Sequence, residues 1–195
     1  MGELKTADIL RANMAATRAT IASLDTLAVP LARAVEMVAK CLLGGGKLLT
    51  CGNGGSAADA SHLATEFVCR YSADRRPYAA IALTESGSSL TAIPNDYSFE
   101  QLFARQVQAL ARPGDLLIAF STSGNSRNVL LALAAAREAG AGSIAFLGRG
   151  GGMTRRAADV ELIVPSDVTA RVQEAHLFLY HCLCESVEPL LSAPA

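Results

Sequence analysis

The sequence carries no excess of charge. Seventeen Lys and Arg stand against 18 Asp and Glu, for a formal net charge of −1. The basic residues are scattered, which argues against a surface that binds nucleic acid by counterion release. Long apolar runs are missing too. Val29–Leu43 and Leu116–Phe120 are too short or too interrupted to span a bilayer. Met1 to Leu24 mixes charges with apolar residues at helical spacing, so neither a secretory nor a transit signal is expected. The five cysteines, at 41, 51, 69, 182 and 184, are odd in number and follow no pairing pattern. That reads as a reduced, cytosolic chain. Cys182 and Cys184 are i and i+2 of an expected helix, point to nearly opposite sides, and cannot share one ion. No low-complexity linker divides the chain. Its 195 residues, 51% of them hydrophobic, suit one compact domain over 1–195.

What is present is an alternation of short apolar runs and longer helical segments. KLLTC (47–51), YAAIAL (78–83), DLLIAF (115–120), SIAFLG (143–148) and VELIVP (160–165) lack strict polar alternation, as strands covered on both faces do. Helices are expected over Leu4–Leu24, Leu27–Leu43, Ser56–Arg70, Ser98–Ala111, Arg127–Ala139, Met153–Ala158 and Thr169–Leu191. The pattern is a βαβ repeat. It predicts an α/β fold: a doubly wound, five-stranded parallel sheet of flavodoxin-like order. Two extra N-terminal helices (1–43) precede the sheet and its covering helices (47–191). Those two helices either serve association or cover one face of the sheet.

Two loops share one character. GNGGS (52–56) follows the first strand and STSGNS (121–126) the third. Ligands of such sheets bind beyond the C-terminal strand ends, at the switch in strand order. A flavodoxin-like order puts both loops on that crevice, each feeding a helix N-terminus that favours an anion. Ser121, Thr122, Ser123 and Ser126 add hydroxyls. Neither loop holds Lys or Arg and the Walker pattern is absent, so a monophosphate fits better than a nucleoside triphosphate with Mg²⁺. The plainer alternative is two strand–helix turns with N-capping serines.

The chain has three histidines: His62, His176 and His181. His62 and Glu66 are i and i+4 on the helix that follows the first loop. Gln173 and His181, eight residues apart on the last helix, are roughly 12 Å apart along its axis. From one helix they could only just reach a common ion; different subunits could also contribute them.

CGNGGSAADASH, then Glu66, NDYSFEQLFARQV (95–107), STSGNS and RVQEAHLFLYH (171–181) resemble the phosphoheptose isomerases, that is, sedoheptulose 7-phosphate isomerases of the sugar isomerase (SIS) fold. The resemblance covers nearly the whole chain. It implies that His62, Glu66, Gln173 and His181 bind one Zn²⁺ per subunit. It implies substrate contacts at Asn53, Gly54, Gly55, Glu66, Asn95, Asp96, Ser121, Thr122, Ser123, Ser126 and Gln173. It makes Glu66 the general base and His181 the general acid of an aldose–ketose isomerisation through an enediol. It further implies a cytoplasmic homotetramer acting on a small sugar phosphate, at the first step of activated heptose biosynthesis for surface polysaccharide. Ala170 and Ser61 depart from the residues common at those positions in relatives; the zinc set is intact. A non-catalytic branch of the same fold, which associates with DnaA, is the main rival, and it typically has Asn where this chain has His181. A sugar-phosphate sensor is a third reading, but no DNA-binding helix-turn-helix is expected here.

Overall fold

Successive residues of a strand point to opposite faces of its sheet, and the apolar runs sort accordingly. Leu48, Leu116, Ile118, Phe120, Ile144 and Phe146 join one buried cluster. Leu49, Cys51, Leu117, Ala119, Ala145 and Leu147 join the other. The computed structural model describes residues 5–192. Its strands are β1 (Leu48–Gly52), β2 (Ala80–Ala82), β3 (Leu116–Ser121), β4 (Gly142–Leu147) and β5 (Val160–Ile163). They form one parallel sheet in the order β2-β1-β3-β4-β5. That is the expected doubly wound order, with β1 beside β3.

The helices are α1 (Thr6–Ala22), α2 (Ala28–Leu43), α3 (Gly55–Val68), α4 (Gly87–Asp96), α5 (Leu102–Leu110), α6 (Arg127–Glu138) and α7 (Thr169–Ser192). On one face of the sheet lie α2, α3 and α7, through residues such as Val38, Leu63, Phe67, Val172 and Leu183. On the other lie α5 and α6, through Phe103, Val107, Val129 and Leu133. α7 buries Val172, Ala175, His176, Leu179, Tyr180, Leu183 and Val187. That i, i+3, i+4, i+7 stripe fixes which way its other residues face. The two N-terminal helices part company. α2 covers the sheet with Ala34, Val38, Cys41 and Leu42, whereas α1 buries only Thr20 and leaves Ile9, Leu10 and Met14 exposed.

Two segments differ from the sequence reading. α4 was not expected: it buries no residue and contains Pro94, so it carries no apolar period. The expected helix over Met153–Ala158 is instead a 3₁₀ turn at Arg149–Thr154. Gly150, Gly151 and Gly152 all take positive φ there, which stops a regular helix from starting. Leu4, expected within the first helix, lies outside the described residues, as do 1–3 and 193–195 of the expected domain. Among the described residues no helix is long and apolar enough to cross a membrane.

Candidate active site

β1 and β3 pair so that Gly52 stands opposite Phe120. The loops that follow them therefore leave the sheet side by side. The first turns into α3 through Gly54, whose φ of 57° and ψ of −122° suit glycine alone. Its neighbour Asn53 meets Asn128, in the first turn of α6. The two carboxamides exchange hydrogen bonds at 2.9 and 2.8 Å, tying one loop to the helix fed by the other. In the second loop, Ser121 Oγ donates to Ser126 Oγ at 3.2 Å, and Ser123 Oγ accepts from Asn125 N–H at 3.1 Å. Thr122 is half-buried beside them. Neither N-cap residue, Gly54 of α3 or Ser126 of α6, makes a side-chain cap bond. Ser126 is the N-cap residue of α6, yet its hydroxyl is turned to Ser121. The N-capping alternative thus fails at that serine; the dipole of each helix still favours an anion at its start, although Ser56, Ala57 and Val129 N–H already donate within the protein. The glycine turn at 149–154 braces the second loop: Thr154 N–H and Oγ1 both donate to Gly124 O, and Met153 N–H donates to Asn125 Oδ1.

Farther along α3 the titratable groups gather. His62 Nε2 lies 2.8 Å from Glu66 Oε1, as the i, i+4 spacing predicts. α7 packs in the same layer and brings His181 to the pair, with its ring centroid 5.2 Å from that of His62 and edge-on to it. One ligand atom from each of His62, Glu66 and His181 falls within 4.8 Å of the other two. Two imidazole nitrogens and a carboxylate oxygen so placed can hold a divalent cation of the zinc type and leave a position open. His181 is held below the ordinary imidazole range, first by burial and then by His62, with Glu66 opposing. Its neutral form, the one that can bind a metal, is thereby favoured.

Gln173 is placed differently. Its carboxamide rests on Gly55: a Cβ there would come within 2.2 Å of Gln173 Nε2. Contact of Gly55 with Gln173, and of His62 with Tyr180, means α3 and α7 run in the same direction. Gln173 thus stands at the glycine-loop end of α3, two turns before the His62 group. Asn95 and Asp96 are exposed at the end of α4, hydrogen-bonded to each other at 2.8 Å. His176 belongs to the core, fully buried with Nε2 3.2 Å from Leu147 O. Burial pulls it down to about 4. Cys182 and Cys184 are both free thiols.

Three residues at the site escaped the sequence reading. Asn128 lies just past STSGNS and gave no signal beyond its amide. Tyr180 Oη lies 2.8 Å from His62 Nδ1. Asp59, one turn before His62, has an Oδ2 buried without a hydrogen-bond partner. Burial raises Asp59 to about 6, against the pull of His62. The i, i+3 spacing of Asp59 and His62 was a legible cue; the contact of Tyr180 with another helix was not.

Comparison with known proteins agrees with this geometry. The SIS domain family matches residues 13–148. The phosphoheptose isomerase of Dechloromonas aromatica (strain RCB) is 51% identical over 172 residues, covering 87% of this chain and 88% of that protein. The chain also resembles the solved structure of phosphoheptose isomerase GmhA from Neisseria gonorrhoeae, at 42% identity and a TM-score of 0.86, covering 93% of this chain and 98% of that one. For the structure of a phosphoheptose isomerase from Francisella tularensis the values are 34% and 0.91, covering 95% and 100%. With two thirds of its length in the family match and relatives of this identity over nearly all of it, the chain belongs to the SIS-domain family, in its phosphoheptose isomerase branch, and is a sugar-phosphate isomerase.

Proposed function

We propose that the chain converts sedoheptulose 7-phosphate to D-glycero-D-manno-heptose 7-phosphate, the first step of activated heptose biosynthesis. The observation that carries this reading is a spacing. Gly55, at the anion loop, and His62, in the titratable group, are seven residues apart on α3. At ~1.5 Å of rise per residue that is about 10 Å. The phosphorus of an extended seven-carbon 7-phosphate lies eight bonds from C1. At roughly 1.2 Å per bond, the reach of an extended backbone, that is also about 10 Å. A sugar held by its phosphate between the loops thus brings C1 and C2 to the His62 group. A five-carbon phosphate falls short by two bonds.

Glu66 is the base that moves the proton between C1 and C2, and His181 moves protons on the two oxygens. Ser121, Thr122, Ser123 and Ser126, with the backbone of Asn53, Gly54 and Gly55, hold the phosphate. Asn95 and Asp96 serve the sugar hydroxyls. Zn²⁺ would be held by His62, Glu66 and His181, with Gln173 the neutral fourth donor that the resemblance implies; when bound, it would supply an electrophile for the carbonyl oxygen. The exposed apolar residues Ile9, Leu10 and Met14 of α1 support a homotetramer in which that face is covered. The reading places the enzyme in the cytoplasm. His181, set beside His62 and Glu66, is what separates it from the DnaA-associating reading.

A coupled assay tests the function. Purified protein should isomerise sedoheptulose 7-phosphate, lose activity after chelation and regain it with zinc. Pentose 5-phosphates should react far more slowly. Equal turnover of pentose and heptose phosphates would remove the basis of the heptose reading.

A further inference from the structure

His62 has both ring nitrogens engaged. Nε2 faces Glu66 Oε1 and Nδ1 faces Tyr180 Oη, each at 2.8 Å. A carboxylate only accepts, so in the neutral ring the Glu66 contact puts the proton on Nε2. Nδ1 then carries the lone pair, and the Tyr180 hydroxyl donates to it. A cation taken by Nε2 requires the opposite tautomer, with the proton on Nδ1 and Tyr180 accepting. A phenol can do both. Phenylalanine can do neither, and a carboxylate could only accept.

Tyr180 is well built for such a role. It is fully buried, and its ring packs edge-on against His62 and Phe120, with centroids 5.4 and 6.1 Å away. Its hydroxyl therefore has little freedom. Asp59, with its unpartnered buried oxygen, acts by its charge on both Tyr180 and His62. The mechanism proposed above uses neither residue.

We infer that Tyr180 is a positioning residue of this site: its hydroxyl holds the His62 ring by Nδ1 in either tautomer and so keeps Nε2 aimed at the space shared with Glu66 and His181. Partners of this kind on the far nitrogen of a ligating histidine typically change metal affinity by 10–100-fold. The contact itself stands on geometry alone; its consequence for metal rests on the zinc reading above.

The variant is Tyr180→Phe in the full chain, compared with Tyr78→Phe. Tyr78 also buries a hydroxyl in this layer, donating to Leu191 O at 2.8 Å, away from His62. Two quantities are read. Zinc affinity, by competition with a chromophoric chelator, should fall about 10–100-fold in Tyr180→Phe and stay at the wild-type value in Tyr78→Phe. The ¹⁵N signals of His62 in metal-free protein should shift in Tyr180→Phe as Nδ1 loses its donor, while those of His176 stay in place. Unchanged His62 signals overturn the inference. So does wild-type zinc affinity in Tyr180→Phe when wild-type protein binds zinc. Should wild-type protein bind no zinc, the metal reading fails by itself, and the ¹⁵N spectrum still decides the role of Tyr180.

Discussion

Asn53 and Asn128 face each other across the switch in strand order and exchange both carboxamide hydrogen bonds, at 2.9 and 2.8 Å. Asn128 is buried and also accepts from Val129 N–H through its Oδ1. The pair sets how far apart the GNGGS and STSGNS loops stand. Asn53 is thus engaged by the protein itself.

Asn128→Ala removes three hydrogen bonds, two with Asn53 and one from Val129 N–H, and leaves the Asn53 amide unmatched. Val129 N–H keeps Ser126 O, so the two Asn53 bonds set the lower bound: at about 0.5–1.5 kcal/mol per neutral hydrogen bond, denaturant unfolding should show a loss of about 1–3 kcal/mol or more. KM for the sugar phosphate should rise as the loops lose their spacing. Asn128→Asp keeps one acceptor but adds a negative charge beside the phosphate, and its KM should rise further. Equal KM values for the two variants would mean that the loops bind no anion.

Two glycines of the first loop separate rigid from yielding contacts. A Cβ on Gly52 would lie 2.4 Å from the backbone oxygen of Ser56, which cannot move without bending α3. Gly52→Ala should cost about 3 kcal/mol or more, at the upper end for overpacking. A Cβ on Gly55 meets only the end of the Gln173 side chain. Gly55→Ala should keep stability within about 1 kcal/mol of wild type while displacing Gln173. Its loss of kcat/KM should then be non-additive with that of Gln173→Ala; simple additivity would show that Gln173 acts elsewhere.

Ser121→Ala with Ser123→Ala removes two hydroxyls from the second loop. A hydrogen bond to a charged group contributes about 1.5–3 kcal/mol, so KM should rise at least tenfold for the pair. The steady-state measurement should be run beside the dephosphorylated sugar, whose use these serines should not affect.

Glu66→Gln keeps the size of the side chain and removes the base. Exchange of the substrate C1 proton with deuterated water should stop, and turnover should fall by about 10²–10⁴. Binding should largely persist, since on the proposed reading the phosphate sits at the Gly55 end of α3, about three turns from Glu66. Lost zinc together with exchange that returns on adding zinc would make Glu66 a ligand only, with Asp96 the next candidate base.

His176 predicts an acid limit on stability. Its pKa falls from an ordinary 6.5 to about 4 through burial. The unfolded chain therefore takes up a proton that the fold excludes. The contribution is whole above pH 6.5 and is lost as pH falls toward 4, on the order of 3 kcal/mol in all. Asp59 acts in the opposite sense, since its raised pKa of about 6 lets the folded chain gain a proton first. His176→Gln can still donate to Leu147 O but does not titrate. The difference in unfolding free energy between pH 7.5 and 4.5 should be smaller in that variant by about 2 kcal/mol; an unchanged difference would rule the residue out.

Local chemistry made much of this molecule readable from its residues. Unbroken apolar runs such as LLIAF mark strands buried on both faces, and all five were located, although β2, at the sheet edge, leaves Ile81 exposed. GNGGS and STSGNS carry glycine, hydroxyls and a following helix in adjacent sequence, so the turns into α3 and α6 were legible without the fold. His62 and Glu66 share a helix face by spacing alone. α4 and the turn at Arg149–Thr154 were missed or misread because neither has an apolar period: one buries nothing, and the other is bent by three glycines. The long-range partners were beyond any reading of spacing. Seventy-five residues separate Asn53 from Asn128, and 118 separate His62 from Tyr180. His181 joins His62 because α7 packs beside α3, and Gln173 rests on Gly55 for the same reason. Sheet order and helix packing set those contacts, since both arise from burying apolar faces across the whole chain rather than from the order of residues within any one segment.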